Sequence, residues 1–280
     1  MKVLITRLIP EKALELIRAS AVETDMWSGD DPPPYHTLSE RVRGVDGLLC
    51  MLTDRIDSAL MDAAGSQLRV ISQMAVGYDN IDIGAAHARG IAVGNTPGIL
   101  TDATADLTMA LMLTFARRIV ESAQYIRDGW WTTWRPMALL GRDLNGATLG
   151  IIGFGRIGQA VAVRASSFGM RVLAYSPSLT DDQARAHSVM RRELDDVLRD
   201  SDFVSLHLPL TTHTRHIIDA KKLALMKPDA VLINTARGGV IDHNALLHAL
   251  QRGVIGGAAL DVTDPEPIAP DHPLLSLANV

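Results

Sequence analysis

In Thr148-Leu-Gly-Ile-Ile-Gly-Phe-Gly-Arg-Ile-Gly158, three glycines (Gly153, Gly155 and Gly158) follow an apolar β-branched run directly and precede a stretch of helix formers, Gln159 to Phe168. G-x-G-x-x-G spacing alone is a weak signal, but between a strand and a helix it describes a βαβ turn shaped for a dinucleotide. Each glycine then has a task. Gly153 permits the tight turn, Gly155 lets backbone N–H groups approach a diphosphate, and Gly158 lets the helix pack closely on the strand. The diphosphate lies at the positive end of that helix, over Arg156, Ile157 and Gly158. The competing interpretation is a strand-to-helix turn that holds no ligand.

Short apolar runs alternate with helix-period stretches along the whole 280-residue chain, which predicts parallel sheets flanked by helices, an α/β fold. In the first part, strands are predicted near Val3 to Thr6, Val22 to Trp27, Gly47 to Leu52, Arg69 to Met74 and Ile91 to Gly94, with Asp30-Asp-Pro-Pro-Pro34 as a surface loop. Asn95-Thr-Pro-Gly98 is a turn cluster, and a single long helix is predicted from about Leu100 to Arg127. A hinge near residue 98 therefore divides the chain into domains 1–98 and 99–280. In the second part, strands are predicted near Thr148 to Gly153, Arg171 to Ser176, Phe203 to Leu208, Ala230 to Thr235 and Gly257 to Val262, with a weaker one around Val189. That is a doubly wound sheet of the Rossmann kind.

Composition narrows the function classes. The net charge is -5 with basic residues scattered, so there is no footprint for nucleic acid. The most apolar stretch, Leu107 to Ala116, stops at Arg117-Arg118, too short to span a bilayer. Cys50 is the only cysteine and reads as a buried structural thiol in a reducing, cytoplasmic setting. The nine histidines are dispersed and no spacing matches a metal-ligand set, so no metal is expected. Three of the four tryptophans (Trp130, Trp131 and Trp134) crowd one segment and call for a partner surface, a subunit or domain contact.

In doubly wound sheets ligands bind at the carboxyl ends of the strands. The functional candidates therefore follow the strands: His207-Leu-Pro209, Thr235-Ala236-Arg237-Gly-Gly239, and Asp261 to Pro267. With those blocks, Val76-Gly-Tyr-Asp-Asn-Ile-Asp82, Asn95-Thr-Pro97 and Thr101-Asp-Ala-Thr-Ala-Asp106 in the same order, nearly the whole chain resembles the D-isomer-specific 2-hydroxyacid dehydrogenase family, within it the glyoxylate and hydroxypyruvate reductases. The resemblance implies a Rossmann domain with a smaller flavodoxin-like substrate domain, and hydride transfer from NAD(P)H to a short 2-keto acid in the cleft between them. It also implies a homodimer through the Leu100 to Trp134 region.

The resemblance further implies roles by position. Arg237 forks onto the substrate carboxylate and keto oxygen, a task suited to a planar, permanent cation. Glu266 pairs with a catalytic histidine and raises its pKa; read alone in its Pro-flanked loop it is equally a solvated charge. Asp261 accepts from the nicotinamide carboxamide, with a turn-forming Asp as the alternative. Val76 and Gly77 offer backbone N–H groups to the substrate carboxylate, and Gly77 also suits a left-handed turn. Phosphite-oxidising relatives carry lysine at the position of Val76, which argues against an inorganic oxyanion. Thr104 lies on the nicotinamide side, or else bonds its own helix backbone. His207, Pro209, Thr235 and Ala236 complete the cofactor site.

Two departures stand out. The family's Pro-His-x-Gly-Ser block, which carries the proton-donating histidine, is not found, and His272 in Asp271-His-Pro-Leu-Leu lies upstream and does not replace it. The missing block would fall shortly after Val280, so the natural chain is expected to be longer; otherwise the alternative is a nucleotide-binding regulatory protein or a pseudoenzyme. The acid expected about 20 residues after the fingerprint to bind an NAD ribose is replaced by Ser176 in Ala174-Tyr-Ser-Pro-Ser178, which inclines the reading toward NADP over NAD.

Overall fold

The computed structural model describes residues 1–20 and 23–280, and the chain separates into two units, Met1–Leu100 and Thr101–Val280. Val22, the first residue of the second predicted strand, lies outside the described residues.

The first unit holds β1 (Lys2–Ile5), β2 (Glu23–Met26), β3 (Gly47–Cys50), β4 (Val70–Gln73) and β5 (Ala92–Gly94). All pair in parallel in the order β2-β1-β3-β4-β5, the flavodoxin-like arrangement. Parallel neighbours need crossover connections, and helices at 11–19, 35–41, 58–64 and 83–88 provide them. The core forms where Leu4, Leu48 and Ile71 of the sheet meet Leu38, Leu60 and Met61 of these helices. Asp57 and Asp82 start two of the helices by accepting from the N–H groups of Leu60 and Ala85.

The second unit holds β6 (Thr148–Ile152), β7 (Arg171–Tyr175), β8 (Met190–Arg191), β9 (Phe203–Leu206), β10 (Val231–Asn234) and β11 (Gly257–Leu260). These strands are also all parallel and run β8-β7-β6-β9-β10-β11, the Rossmann order. Every residue of β6, β9 and β10 is buried, as expected of strands covered on both faces. One core layer sets Leu149, Ile151 and Ile233 against Ala105, Met109 and Met112, and the other sets Ile152, Val204 and Leu232 against Leu198, Leu246 and Leu250. The edge strand β8 is two exposed residues long and ends in arginine, a poor template for further pairing. Among the described residues, no helix is long and apolar enough to cross a membrane.

The single helix expected from Leu100 to Arg127 is instead two, Thr101–Ala116 and Ile119–Arg127. Arg118 between them is left-handed, with φ 51°. The cause lies far along the chain: the backbone N–H of Arg142 donates to the Ala116 carbonyl at 2.7 Å and ends the first helix. The Ser122 hydroxyl then donates to the Arg118 carbonyl at 2.7 Å in the first turn of the second.

Asp202 ties three central strands at their amino ends. Its carboxylate accepts from the Thr148 N–H at 2.8 Å and from Lys227 Nζ at 2.7 Å, and its carbonyl accepts from the Val231 N–H at 3.0 Å. Burial works to raise its pKa, but the bonds from Lys227 and Thr148 outweigh burial and hold the carboxyl below its ordinary value. The contribution of this group is therefore complete above the unfolded value of about 4 and is lost as pH falls through the lower folded-state pKa. Asp202→Asn is expected to lower the unfolding free energy at neutral pH by about 1–3 kcal/mol. Urea denaturation should show that gap to wild type narrowing as pH falls through the lowered folded-state pKa, where the native carboxyl is itself protonated.

Candidate active site

At the carboxyl end of β6 the chain turns at Gly153, with φ 97° and its N–H donating to the Tyr175 carbonyl at 2.8 Å. A Cβ at Gly153 would lie 2.4 Å from the His207 carbonyl oxygen, and one at Gly158 would lie 2.2 Å from the Gly153 oxygen. These two glycines are thus required by the protein's own packing. Gly155 differs: a Cβ there would meet nothing within 4 Å. It is the N-cap of the helix Arg156–Ser167, where no side chain caps the first turn. The uncapped N–H groups of Arg156, Ile157 and Gly158 face an open approach, so the turn fits a dinucleotide's diphosphate.

His207 follows β9 across the switch point, its backbone N–H donating to the Ile152 carbonyl at 2.7 Å. Its Nε2 lies 2.9 Å from the hydroxyl of Ser205, and burial pushes its pKa down to about 4, so the ring is neutral at physiological pH. The exposed Pro209 two residues on is anchored through its carbonyl, which accepts from the Thr214 hydroxyl at 2.6 Å.

The loops after β10 and β11 are pressed together. A Cβ on Gly238 would sit 1.9 Å from the Thr263 carbonyl oxygen, so only glycine allows this approach. Arg237 and Glu266 therefore stand on abutting loops, at the same sheet end as the glycine turn. Arg237 is half-buried, with Nη1 donating to the Ala236 carbonyl at 2.8 Å, while Glu266 and Asp261 are exposed. The Thr263 hydroxyl donates to the Pro265 carbonyl at 2.9 Å and shapes the loop ahead of Glu266.

Three residues that organise this end were not singled out from the sequence. Asn234, fully buried, accepts from the Ala236 N–H at 3.0 Å and donates to the Arg237 carbonyl at 2.9 Å, while its own carbonyl accepts from the Asp261 N–H. Thr108, also fully buried, places its hydroxyl 2.9 Å from that of Thr235 and thereby fixes the loop to the Thr101–Ala116 helix. Ser205 holds His207. The one signal available was a polar residue inside an otherwise apolar buried strand, present in Val-Leu-Ile-Asn234 and Phe-Val-Ser-Leu206. Thr104 is half-buried one turn before Thr108 and contributes its carbonyl to the Thr108 hydroxyl. Ser176 is half-buried beyond β7, its hydroxyl 3.4 Å from that of Ser178. Arg191 stands nearby, paired with Asp181 at 3.3 Å.

In the first unit, Val76 is exposed and Gly77 half-buried in the loop after β4. The Val76 carbonyl accepts from Asn95 Nδ2 at 2.8 Å and the Gly77 carbonyl from Gln73 Nε2 at 3.2 Å.

The family described as D-isomer specific 2-hydroxyacid dehydrogenase, NAD binding domain, matches residues 109–280. The chain belongs to this family. Among its relatives, the glyoxylate reductase of Korarchaeum cryptofilum is 49% identical over 280 residues, spanning all of this chain and 84% of its own. That of Thermococcus litoralis is 49% identical over 283 residues, with 100% and 85% covered. A crystal structure of a Thermus thermophilus protein superposes with a TM-score of 0.90 at 49% identity, covering 100% of this chain and 87% of that one. An NADPH-dependent glyoxylate/hydroxypyruvate reductase of Sinorhizobium meliloti, in complex with NADP and malonate, superposes with a TM-score of 0.88 at 32% identity, covering 100% and 84%.

The contrast among the family's three fingerprint glycines is measurable. Gly155 has extended backbone angles, φ -79° and ψ -164°, which any residue adopts, and open space beside it. Gly155→Ala is expected to leave the thermal midpoint unchanged while raising the Kd for NADPH about tenfold or more, because the methyl occupies the diphosphate's approach. A thermal melt and a fluorescence titration check the two halves of this expectation.

Proposed function

We propose that this protein is an NAD(P)H-dependent reductase of short 2-keto acids, of the glyoxylate and hydroxypyruvate type. The observation that carries the proposal is the abutment of the Arg237 and Glu266 loops, through Gly238, at the sheet end that bears the glycine turn. The identity of nearly half to glyoxylate reductases, extending over the whole chain, supports the same chemistry. Residues 1–98 serve as the substrate domain and 99–280 as the dinucleotide domain.

Bound at Gly153, Gly155, Arg156, Ile157 and Gly158, with Thr104, Ser176, His207, Pro209, Thr235, Ala236 and Asp261 around it, the reduced nicotinamide supplies the hydride. The remaining tasks belong to the protein. Arg237 grips the carboxylate and keto oxygen of the substrate with two parallel N–H donors, polarising the carbonyl as charge develops on its oxygen. The backbone N–H groups of Val76 and Gly77 also bind the substrate carboxylate, which restricts the keto carbon to a reactive pose. Glu266 is placed to sustain the protonated form of the imidazole that the family's Pro-His-x-Gly-Ser block supplies, a block not found in residues 1–280. Neutral His207 adds no charge beside the cofactor. NADP is the preferred nucleotide, because Ser176 and Ser178 place no carboxylate against a 2′-phosphate.

A cytoplasmic homodimer completes the proposal. Trp130, Trp131 and Trp134 are all exposed, and the only ring partner among the described residues is Tyr125, 6.0 Å from Trp130 in an edge-to-face pair. Such a cluster of large rings suits burial against a second copy.

The test follows oxidation of NADPH and NADH with glyoxylate and with hydroxypyruvate. The assays are run on residues 1–280 and on a chain extended to carry the family's Pro-His-x-Gly-Ser block; turnover of the extended chain with both keto acids is expected, faster with NADPH. Arg237→Ala should reduce kcat/KM by about 100-fold or more, the cost of leaving a bound carboxylate without its charged partner. Tight nucleotide binding without turnover by either chain would overturn the reductase assignment in favour of a regulatory nucleotide-binding protein.

A further inference from the structure

Three consecutive carbonyls of the loop after β4 are each held by a donor. The Ala75 carbonyl accepts from the Thr96 N–H at 3.0 Å, the Val76 carbonyl from Asn95 Nδ2 at 2.8 Å, and the Gly77 carbonyl from Gln73 Nε2 at 3.2 Å. In a trans peptide the C=O and the following N–H point in opposite directions across one rigid plane. Fixing these three carbonyls therefore fixes three N–H groups, those of Val76, Gly77 and Tyr78, and turns each away from its plane's anchor. None of the three donates to any described residue. Runs of free backbone N–H groups make concave sites for anions.

The anchor at Gln73 is itself locked. Gln73 is fully buried, its Oε1 accepts from the Cys50 thiol at 3.0 Å, and its Nε2 donates to Asn80 Oδ1 at 2.9 Å as well as to Gly77. Asn80 in turn donates to the Met51 and Asp54 carbonyls at 3.0 and 2.9 Å. Burial pushes the Cys50 thiol up to about 12, so it remains a protonated donor and keeps the Gln73 amide facing one way. A flipped amide would set its oxygen against two other oxygens. The chain Cys50, Gln73, Asn80 has no alternative hydrogen-bonded arrangement of equal quality.

We infer that Gln73 and Asn95 are positioning residues for substrate binding: their side-chain amides hold the Val76–Gly77 and Gly77–Tyr78 peptide planes so that the N–H groups of Gly77 and Tyr78 face the carboxylate of the keto acid. The inference rests on the proposed role of the Val76–Gly77 loop and adds the third N–H, that of Tyr78, together with the two side chains that aim the loop. Neither amide touches the substrate. Their effect belongs to ground-state and transition-state binding alike and so appears in KM.

The experiment compares wild type with Asn95→Ala, which removes one anchor from a half-buried site, and Gln73→Met, which removes the other at similar side-chain length. Leu60→Ala, a truncation in the core of the same unit, controls for stability. Both anchor variants are expected to raise KM for glyoxylate about tenfold with kcat within about threefold of wild type. The Kd for NADPH should not change. Leu60→Ala should lower the thermal midpoint at least as much with KM unaltered. In parallel, the backbone amide resonances of Gly77 and Tyr78 are followed while oxalate is added to the NADPH-saturated protein; both should move in wild type and move less in Asn95→Ala. If they do not move in wild type, the loop does not bind carboxylate, and both the loop's role and this inference fall. If they move but KM is unchanged in the anchor variants, or Leu60→Ala raises KM equally, positioning by the amides is overturned while the loop's role stands.

Discussion

The buried amide of Asn234 at the end of β10 is the interaction on which the loops at the carboxyl end of the second sheet depend. Its strand lies between β9 and β11, covered on both faces, where a polar side chain without partners would cost about 1–3 kcal/mol. Both ends of the amide are used instead, the oxygen by Ala236 and the nitrogen by Arg237. The strand's last carbonyl binds Asp261, and this brings the next loop alongside. The contact at Gly238 follows from that pairing, and with it the abutment of the loops that carry Arg237 and Glu266.

The strands were legible because a parallel strand buried on both faces is a continuous apolar run. Each bounded prediction contains its described strand except the first, where β1 begins one residue earlier at Lys2, and the weaker strand placed around Val189 lies at Met190–Arg191. The loops that matter were legible for a topological reason, since strand ends at a reversal of strand order must form the ligand side. The helix break at Arg118 was not. Its determinant is a backbone donor at Arg142, and nothing in Phe-Ala-Arg-Arg118 opposes a continuous helix by propensity. Thr108 was opaque for the same reason, because its partner Thr235 is 127 residues away. Local composition carries information about local conformation, and these two features belong to long-range pairing. Asn234 lay in between: its presence at the end of an apolar run was visible, but which groups it would bind was not.

The two proposed anion sites, one in each unit, offer backbone N–H groups by different means. At Arg156 to Gly158 the donors are left over from a helix that no side chain caps, and the helix axis aligns them. At Val76 to Tyr78 there is no helix, and side-chain amides orient each peptide separately. The first device depends on Gly153 and Gly158 for close packing and on Gly155 for an open approach. The second depends on particular amide side chains at particular positions.

The segment between Arg117 and Gly141 leaves and rejoins the second unit at nearly one point. A Cβ on Gly141 would lie 2.4 Å from the Ala116 carbonyl oxygen, and the N–H of Arg142 binds that same carbonyl. The intervening stretch, which carries the three neighbouring tryptophans, is therefore an excursion that starts and closes at the carboxyl end of the Thr101–Ala116 helix. Because the bond that closes it joins backbone atoms, the side chains along the excursion can change while the closure stays in place.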